Sequence, residues 1–187
     1  MNKVLYILMM TAVLLVAAAG GWFWYAHHNR LTWVSVNALI QRQFPNVRQI
    51  SVTQLRAWLT DPRHKPPILL DVRSNIEFQV SHLHHARWIN SNQTVQQALA
   101  NVTRDEAIVV YCSVGYRSSA YAQRLMEEGF THVTNLRGSI FQWANAGLPV
   151  YRNGVIVHHV HPYDHHWGTL LKRSLWEFQA PATRPAP

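Results

Sequence analysis

Residues 111–118 read YCSVGYRS, and this stretch decides which fold the chain is expected to adopt. It follows the apolar run 107–111, AIVVY, which is typical of a strand buried on both faces. It precedes a segment with helical i,i+4 apolar pairs that ends at Gly129. Ligands bind at the carboxyl ends of strands in open α/β sheets. The stretch is therefore predicted to be a ligand-binding loop that begins at Cys112.

Cys112 is the only cysteine of the chain, which excludes an internal disulfide and every zinc motif built on cysteine pairs. A tight loop at a helix start directs backbone N–H groups to one point, where they stabilise a thiolate. Gly115 allows a backbone conformation that a side chain forbids, and Arg117 either attracts an anionic substrate or braces the loop. The alternative is that Cys112 is a small apolar side chain that ends a strand. The glycine, the arginine and the strand–loop–helix pattern favour a nucleophile.

The segments around this loop alternate between helical and buried-strand patterns. Residues 68–72, ILLDV, and residues 133–136, VTNL, are further candidate strands. Ser51 and Gln54 have capping-box spacing, and apolar residues then recur on one helical face from Leu55 onward. Strands that alternate with helices predict an α/β fold with a central, mostly parallel sheet.

Residues 48–151 resemble the rhodanese homology domain. The matching motifs are Leu70-Asp71-Val72-Arg73, Glu77-Phe78, Ser81-His82, the loop from Cys112 to Ser118, Gly138, Trp143 and Gly147-Leu148-Pro149-Val150. Several separated motifs in the family's order make the resemblance specific. It implies a small three-layer α/β fold around a mostly parallel sheet, and a cysteine that carries sulfur as a persulfide.

The resemblance implies a role for each matching residue. Cys112 is the expected catalytic residue, which takes a sulfane sulfur from thiosulfate, a persulfide or a polysulfide and passes it to a thiol or another thiophilic acceptor. The expected substrate- and anion-binding loop consists of Ser113, Val114, Gly115, Tyr116, Arg117 and Ser118. The expected supporting residues are Asp71, Arg73, Glu77 and His82, with an ion pair between Arg73 and Glu77. No cofactor is expected beyond the persulfide itself.

The length of the loop separates sulfur chemistry from phosphate chemistry. Four residues lie between Cys112 and Arg117, one fewer than in the phosphatases and arsenate reductases that resemble rhodaneses. The narrower loop favours sulfur over a tetrahedral oxyanion. Val114 stands where some thiosulfate-using members carry a basic residue, which makes a persulfide or polysulfide a candidate donor beside thiosulfate.

Residues 1–30 form an apolar leader. No charge occurs from Val4 to Tyr25, and a helix of that length reaches roughly 33 Å, enough to cross a bilayer. The aromatic residues 22–25 end the run as an interfacial belt does. A single transmembrane signal anchor in a lipid bilayer is predicted, with the main domain outside the cytoplasm. A signal peptide cleaved after residues 17–19 stays open as the alternative.

The chain is basic, with 17 Lys and Arg against 9 Asp and Glu. These basic residues are scattered, and no basic stripe with interleaved aromatic residues predicts nucleic-acid binding. Attraction for small anions or lipid head groups is favoured. Residues 31–47 are predicted to be a linker with a short amphipathic piece around Val36, Leu39 and Ile40.

Residues 152–187 form a histidine-rich C-terminal extension. Weak candidates for metal ligands are His158, His159, His161, His165 and His166. A short edge strand at residues 155–157 with a solvated extension is the alternative. Residues 170–178 suggest a short amphipathic helix, and the Pro/Ala-rich residues 180–187 are predicted to be disordered.

Three functions compete at this point. A membrane-anchored, single-domain sulfurtransferase is favoured by the intact Cys112 loop. A non-catalytic rhodanese-like module that binds a partner or senses sulfur at the membrane is the second hypothesis. A metal-handling protein that works through its histidine-rich extension is the third.

Overall fold

The computed structural model describes residues 3–28, 31–90 and 93–180. The chain divides into two compact units, residues 1–32 and residues 33–187. The disorder predicted for residues 180–187 falls, except for Ala180, on residues that lie outside the described ones.

The first unit contains one helix, α1 (Lys3–His28). Its side chains from residue 8 to residue 22 are exposed, among them Leu15, Val16 and Trp22. Among the residues that the structure describes, no helix combines the length and the apolar character needed to span a membrane. The transmembrane anchor predicted for residues 1–30 is therefore not supported.

The second unit is built on a five-stranded parallel sheet with the strand order β1-β5-β4-β2-β3. The strands are β1 (Arg48–Ile50), β2 (Ile68–Asp71), β3 (Arg87–Trp88), β4 (Ile108–Tyr111) and β5 (Val133–Leu136). All four residues of β4 are buried, as expected for a central strand covered on both faces. This arrangement confirms the predicted α/β fold with a central parallel sheet.

Six helices connect or flank these strands. They are α2 (Trp33–Gln43), α3 (Val52–Thr60), α4 (Asn75–Val80), α5 (Val95–Ala98), α6 (Tyr116–Glu127) and α7 (Ser139–Asn145). Three of them begin with a capping box, at Ser51, Ser74 and Thr94. In each box the side chain of the first residue accepts a backbone N–H that the helix leaves unpaired. The box predicted at Ser51 is among them.

The sheet register brings the loops of the site to one edge. Asp71 lies beside Tyr111 in the pairing of β2 with β4. Because parallel strands end at the same edge, the chain that follows Asp71 and the chain that follows Tyr111 emerge side by side. The backbone N–H groups of Ile140 and Phe141 donate to the carbonyl groups of residues 112 and 113, which ties α7 to the same edge.

Most of the segment predicted to be a linker, residues 31–47, is the helix α2 (Trp33–Gln43) of the second unit. Helix α2 buries Val36 and Ile40, each only 3% exposed. The ring of Phe44 meets the ring of Tyr116 edge to face, with a centroid distance of 5.3 Å. The apolar spacing noted in the sequence therefore marks a helix face that packs on the domain.

The C-terminal extension also packs on the domain instead of projecting into solvent. It forms an antiparallel hairpin of β6 (Val150–Arg152) and β7 (Val155–Val157), a short helix α8 (His165–Gly168) and a 3₁₀ turn (Arg173–Leu175). Val160, Leu170 and Leu171 are buried, and the Ser81 hydroxyl donates to the carbonyl of His159 at 2.7 Å. The amphipathic helix predicted over residues 170–178 is wrong: Leu170 and Leu171 are buried in a turn, and the 3₁₀ turn that follows spans three residues and buries none of them.

Candidate active site

Cys112 follows the last residue of β4, and α6 begins four residues later. Gly115 occupies the position before the helix with φ of +113°, in the left-handed region that disfavours side chains. A Cβ atom at this position would lie 3.3 Å from Asn135 Nδ2 and 3.3 Å from Ile40 Cδ1. The left-handed backbone conformation therefore strains any side chain here, and the neighbours would have to move by a few tenths of an ångström to admit one.

The sulfur of Cys112 accepts two hydrogen bonds. The backbone N–H of Gly115 donates to Sγ at 3.2 Å, and the hydroxyl of Ser118 lies 3.4 Å from Sγ. Both donors belong to the first turn of α6 or the residue before it, where backbone N–H groups are unpaired and the helix dipole is positive. The main-chain N–H of Cys112 itself donates to Ser139 Oγ at 3.1 Å. The thiol is thereby held at a fixed point beside a helix start.

The electrostatic surroundings favour the ionised thiol. Burial raises the pKa of Cys112, which is only 1% exposed. The positive charge of Arg117 and the hydrogen bonds from Ser118 and Gly115 outweigh burial, so the pKa lies below the ordinary value of a thiol. A lowered pKa increases the thiolate fraction at neutral pH, and the thiolate is the reactive form.

Arg117 braces the loop through Glu77. Its guanidinium forms a two-point contact with the carboxylate, with Nη1–Oε2 at 3.0 Å and Nη2–Oε1 at 2.7 Å. The Ser113 hydroxyl donates to Glu77 Oε1 at 2.8 Å and accepts from Arg117 Nη2 at 2.9 Å. Of the two roles left open for Arg117, this geometry favours bracing, although the charge also acts on Sγ.

The buried Glu77 carboxylate is expected to make the stability of the folded protein sensitive to acid. Burial raises the pKa of Glu77, but the hydrogen bonds and charge of Arg117 outweigh burial and hold the pKa at about 2. Because the folded-state pKa lies below the ordinary 4.5, this carboxylate stabilises the folded state above pH 5. That contribution is lost as the pH falls from about 5 towards 2, a loss on the order of 3 kcal/mol. Urea unfolding between pH 7 and pH 3 measures it.

The matched variants are Glu77→Gln and Glu106→Gln. The Glu77→Gln variant is expected to lose less stability than the parent over this pH range, since its amide does not titrate. Glu106 pairs with Lys65 at the surface, where solvent screens the interaction, and Glu106→Gln is expected to follow the parent. Equal pH slopes for the parent and Glu77→Gln would contradict the assignment.

Arg73 pairs with Asp71 and not with Glu77. Its Nη2 lies 2.6 Å from Asp71 Oδ2 and 2.6 Å from the carbonyl of Ser81, and both charged side chains are fully buried. The ion pair predicted between Arg73 and Glu77 is thus wrong. The side chain of Arg73 turns back on a carboxylate two residues away, while Glu77 faces Arg117 across the site.

His82 links the domain to the C-terminal hairpin. Its ring stacks on Phe78 with a centroid distance of 4.0 Å, and its backbone exchanges hydrogen bonds with Tyr151 at 2.9 and 2.8 Å. Burial lowers the pKa of His82, which favours a neutral ring. These contacts agree with a supporting role away from the sulfur.

A cavity of about 270 Å³ opens above the loop and includes Cys112 in its lining. The predicted loop residues Ser113, Val114, Tyr116 and Arg117 also line it. The other lining residues are Leu39 of α2 together with Tyr163 and Trp167 of the C-terminal extension.

Tyr163 and Trp167 were not foreseen from the sequence. They lie far along the chain from the loop and outside its motif. The available signal was Asp164, a residue type that often caps helices, which lies directly before the short helix that carries Trp167.

The histidines of the extension contact aromatic rings. His161 meets Phe178 edge to face at 5.5 Å, and His165 stacks on Phe178 at 5.2 Å. Over residues 3–28, 31–90 and 93–180, the structure brings no group of three or more His, Cys, Asp or Glu side chains together as metal ligands. The weak candidates His158, His159, His161, His165 and His166 do not converge on a point.

Comparison with known proteins decides the family. The model of the rhodanese-like domain matches residues 51–146, about half of the chain. The chain belongs to the rhodanese-like domain family.

Among the curated relatives of this rhodanese-like chain are proteins named as sulfurtransferases. The probable adenylyltransferase/sulfurtransferase MoeZ of Mycobacterium tuberculosis is 32% identical over 101 residues, 54% of this chain and 25% of the relative. The chain thus spans about a quarter of that relative's length. A sulfurtransferase of Allochromatium vinosum is 31% identical over 44% of this chain and 77% of its own length. Thiosulfate sulfurtransferase GlpE of Vibrio cholerae is 32% identical over 44% of this chain and 76% of its own length.

Solved structures show the same fold. The BH2092 protein of Bacillus halodurans superposes with a TM-score of 0.55 at 18% identity, over 72% of this chain and 97% of its own. The Alr3790 protein of Anabaena superposes with a TM-score of 0.51 at 23% identity, over 55% of this chain and 80% of its own. At these identities the likeness concerns the fold.

Proposed function

We propose that this protein is a sulfurtransferase that moves a sulfane sulfur from a donor to a thiophilic acceptor through a persulfide on Cys112. The observation that carries the proposal is the hydrogen bonding of Sγ by Gly115 and Ser118 at the floor of a cavity. Membership of the rhodanese-like family and the names of the relatives support it.

In the first half-reaction the Cys112 thiolate attacks the sulfane sulfur of the donor. A bond forms between Sγ and that sulfur, and the bond from the sulfane sulfur to the rest of the donor breaks. The electron pair of the broken bond stays with the leaving group, which is sulfite when thiosulfate is the donor and a thiolate when an organic persulfide is the donor. The product is a Cys112 persulfide anion, so charge and electrons balance.

In the second half-reaction the acceptor attacks the outer sulfur of the persulfide. Cyanide or a thiolate takes that sulfur, and the electron pair of the broken S–S bond returns to Sγ. The released thiolate is then stabilised by the N–H of Gly115 and the hydroxyl of Ser118. The Glu77–Arg117–Ser113 contacts keep these donors in place throughout.

A two-step covalent route predicts ping-pong kinetics. Initial rates of thiocyanate formation, measured with a thiosulfonate donor and cyanide as acceptor, are expected to give parallel double-reciprocal lines. Lines that intersect to the left of the axis would mean that both substrates bind before sulfur moves, and would contradict the persulfide route.

The location of the domain outside the cytoplasm stays a proposal that rests on the sequence. Its motivation is the uncharged run of residues 4–25 and the exposed apolar side chains along residues 8–22. Protease treatment of intact spheroplasts that express the full chain tests it. Digestion of the domain supports the proposal, and protection until the cells are lysed contradicts it.

A further inference from the structure

Three of the side chains that line the cavity come from outside the family match. Leu39 precedes residues 51–146, and Tyr163 and Trp167 follow them. All three belong to the same compact unit as Cys112. These three side chains form the wall of the cavity. The loop that holds the sulfur is thus shared with the family, whereas the wall depends on flanking segments of this chain.

The wall is held in place by specific contacts. The Asp164 carboxylate accepts from the backbone N–H of Trp167 at 2.7 Å, which caps the short helix. A Cβ atom on Gly168 would lie 2.5 Å from the ring of Trp176, so the helix packs closely against that ring. Leu170 and Leu171 are buried directly afterwards. The extension therefore presents Trp167 on a packed scaffold.

The positive charge that lines the cavity already has partners within the protein. Among the described residues that line it, Arg117 is the one cation. Its guanidinium is held by Glu77 and Ser113, and its Cζ atom lies 4.8 Å from the centroid of the Tyr163 ring. The Arg117 guanidinium therefore already donates hydrogen bonds to Glu77 and Ser113, and a small dianion such as thiosulfate would have to compete with them.

The remaining lining favours apolar groups. Leu39, Val114 and Trp167 offer hydrocarbon and indole surface next to the sulfur. Burial of apolar surface against such side chains stabilises a bound ligand by about 25 cal/mol per Å². An aryl or alkyl substituent on the sulfane sulfur donor would gain this contribution, which thiosulfate cannot.

We propose that Leu39, Tyr163 and Trp167 select sulfur donors that carry an apolar organic substituent, the class of organic persulfides and thiosulfonates. The inference rests on the proposed sulfurtransferase function and assigns its donor class. With a thiosulfonate, the Cys112 thiolate takes the terminal sulfur. The bond between that sulfur and the sulfonyl sulfur breaks, and the organic sulfinate leaves with the electron pair.

The test compares kcat/KM for benzenethiosulfonate, methanethiosulfonate and thiosulfate with cyanide as acceptor. The parent is expected to prefer benzenethiosulfonate over both smaller donors. The Trp167→Ala variant is expected to lower the benzene-to-methane ratio by about 10- to 100-fold, as loss of apolar pocket contacts does in other enzymes. Trp167→Phe keeps an aromatic ring in the wall and is expected to retain most of the preference.

The matched control is Trp58→Ala, since Trp58 lies on α3 and does not line the cavity. This variant is expected to keep the parent's ratio. If Trp167→Ala keeps the parent's benzene-to-methane ratio and still transfers sulfur from all three donors, the proposed donor selection by the wall is wrong. The sulfurtransferase proposal then still stands. No transfer from any donor by the parent overturns both.

Discussion

Replacement of Cys112 with Ser is expected to lower the rate of sulfur transfer by at least about a thousandfold, the scale seen when a covalent nucleophile is removed. A hydroxyl cannot form a persulfide, and at neutral pH it is not ionised. The hydrogen bonds from Gly115 and Ser118 that favour the thiolate cannot compensate for the missing sulfur. Thiocyanate formation from a thiosulfonate and cyanide measures the loss.

This variant separates catalysis from folding. Ser is close to Cys in size, and residue 112 is 1% exposed at the end of a central strand, so the unfolding midpoint in urea is expected to stay near the parent's. Transfer at the parent's rate by a folded Cys112→Ser protein would remove the catalytic role of this residue. A loss of cellular function in the same variant would also disfavour the hypothesis of a non-catalytic binding module.

Replacement of Asp71 with Asn is expected to produce the largest loss of stability. The carboxylate of Asp71 and the guanidinium of Arg73 are both fully buried, with a shortest contact of 2.6 Å. The substitution keeps the shape of the side chain but removes the one carboxylate that is hydrogen-bonded to the buried guanidinium of Arg73 among the described residues. Removal of one partner of a buried pair costs about 3–5 kcal/mol.

Equilibrium urea unfolding at pH 7 measures this loss, and Asp61→Asn is the matched control. Asp61 pairs with Arg63 at the surface, where the arginine side chain is 82% exposed. Solvent screens that pair, so the control is expected to unfold at the parent's midpoint. A loss for Asp71→Asn no larger than that of the control would show that Arg73 finds another counter-charge.

The centre of the sheet could be predicted because β2 and β4 are continuous apolar runs, whereas the edge strands β1 and β3 are short, carry arginine and were not predicted. Residues 68–72 and 107–111 carry a pattern that few other structures accommodate, and they form β2 and β4. The loop after β4 was predicted from its place between a buried strand and a helix. In the structure its glycine, Gly115, adopts the left-handed conformation, and the N–H of that glycine donates to Sγ of Cys112. Local sequence was therefore enough to predict β2, β4 and the loop that holds Cys112.

The partners of the charged residues could not be predicted from local sequence. Glu77 and Arg117 are 40 residues apart along the chain, and only the assembled sheet brings them together. The resemblance to the rhodanese homology domain suggested the pair of Arg73 and Glu77 instead. That prediction failed because Arg73 turns back to Asp71, a carboxylate already buried beside it.

The flanking segments were underestimated for a related reason. Residues 31–47 were predicted to be a linker, and residues 152–187 a histidine-rich extension for which an edge strand with a solvated continuation was one alternative. Each segment nevertheless buries a few apolar residues, among them Ile40 and Val160. These few contacts place Leu39, Tyr163 and Trp167 at the cavity. The apolar spacing around Leu39 indicated a helix face, but only the tertiary packing shows that this face borders the site.

Mass spectrometry of the intact full-length chain tests the central claim most directly. After incubation with sodium polysulfide and removal of the excess, the parent is expected to gain the mass of one sulfur atom, located on the peptide that contains Cys112. Cyanide is expected to remove this added mass and to yield thiocyanate. An unmodified Cys112 under conditions in which a free low-molecular-weight thiol is converted to its persulfide would contradict the account.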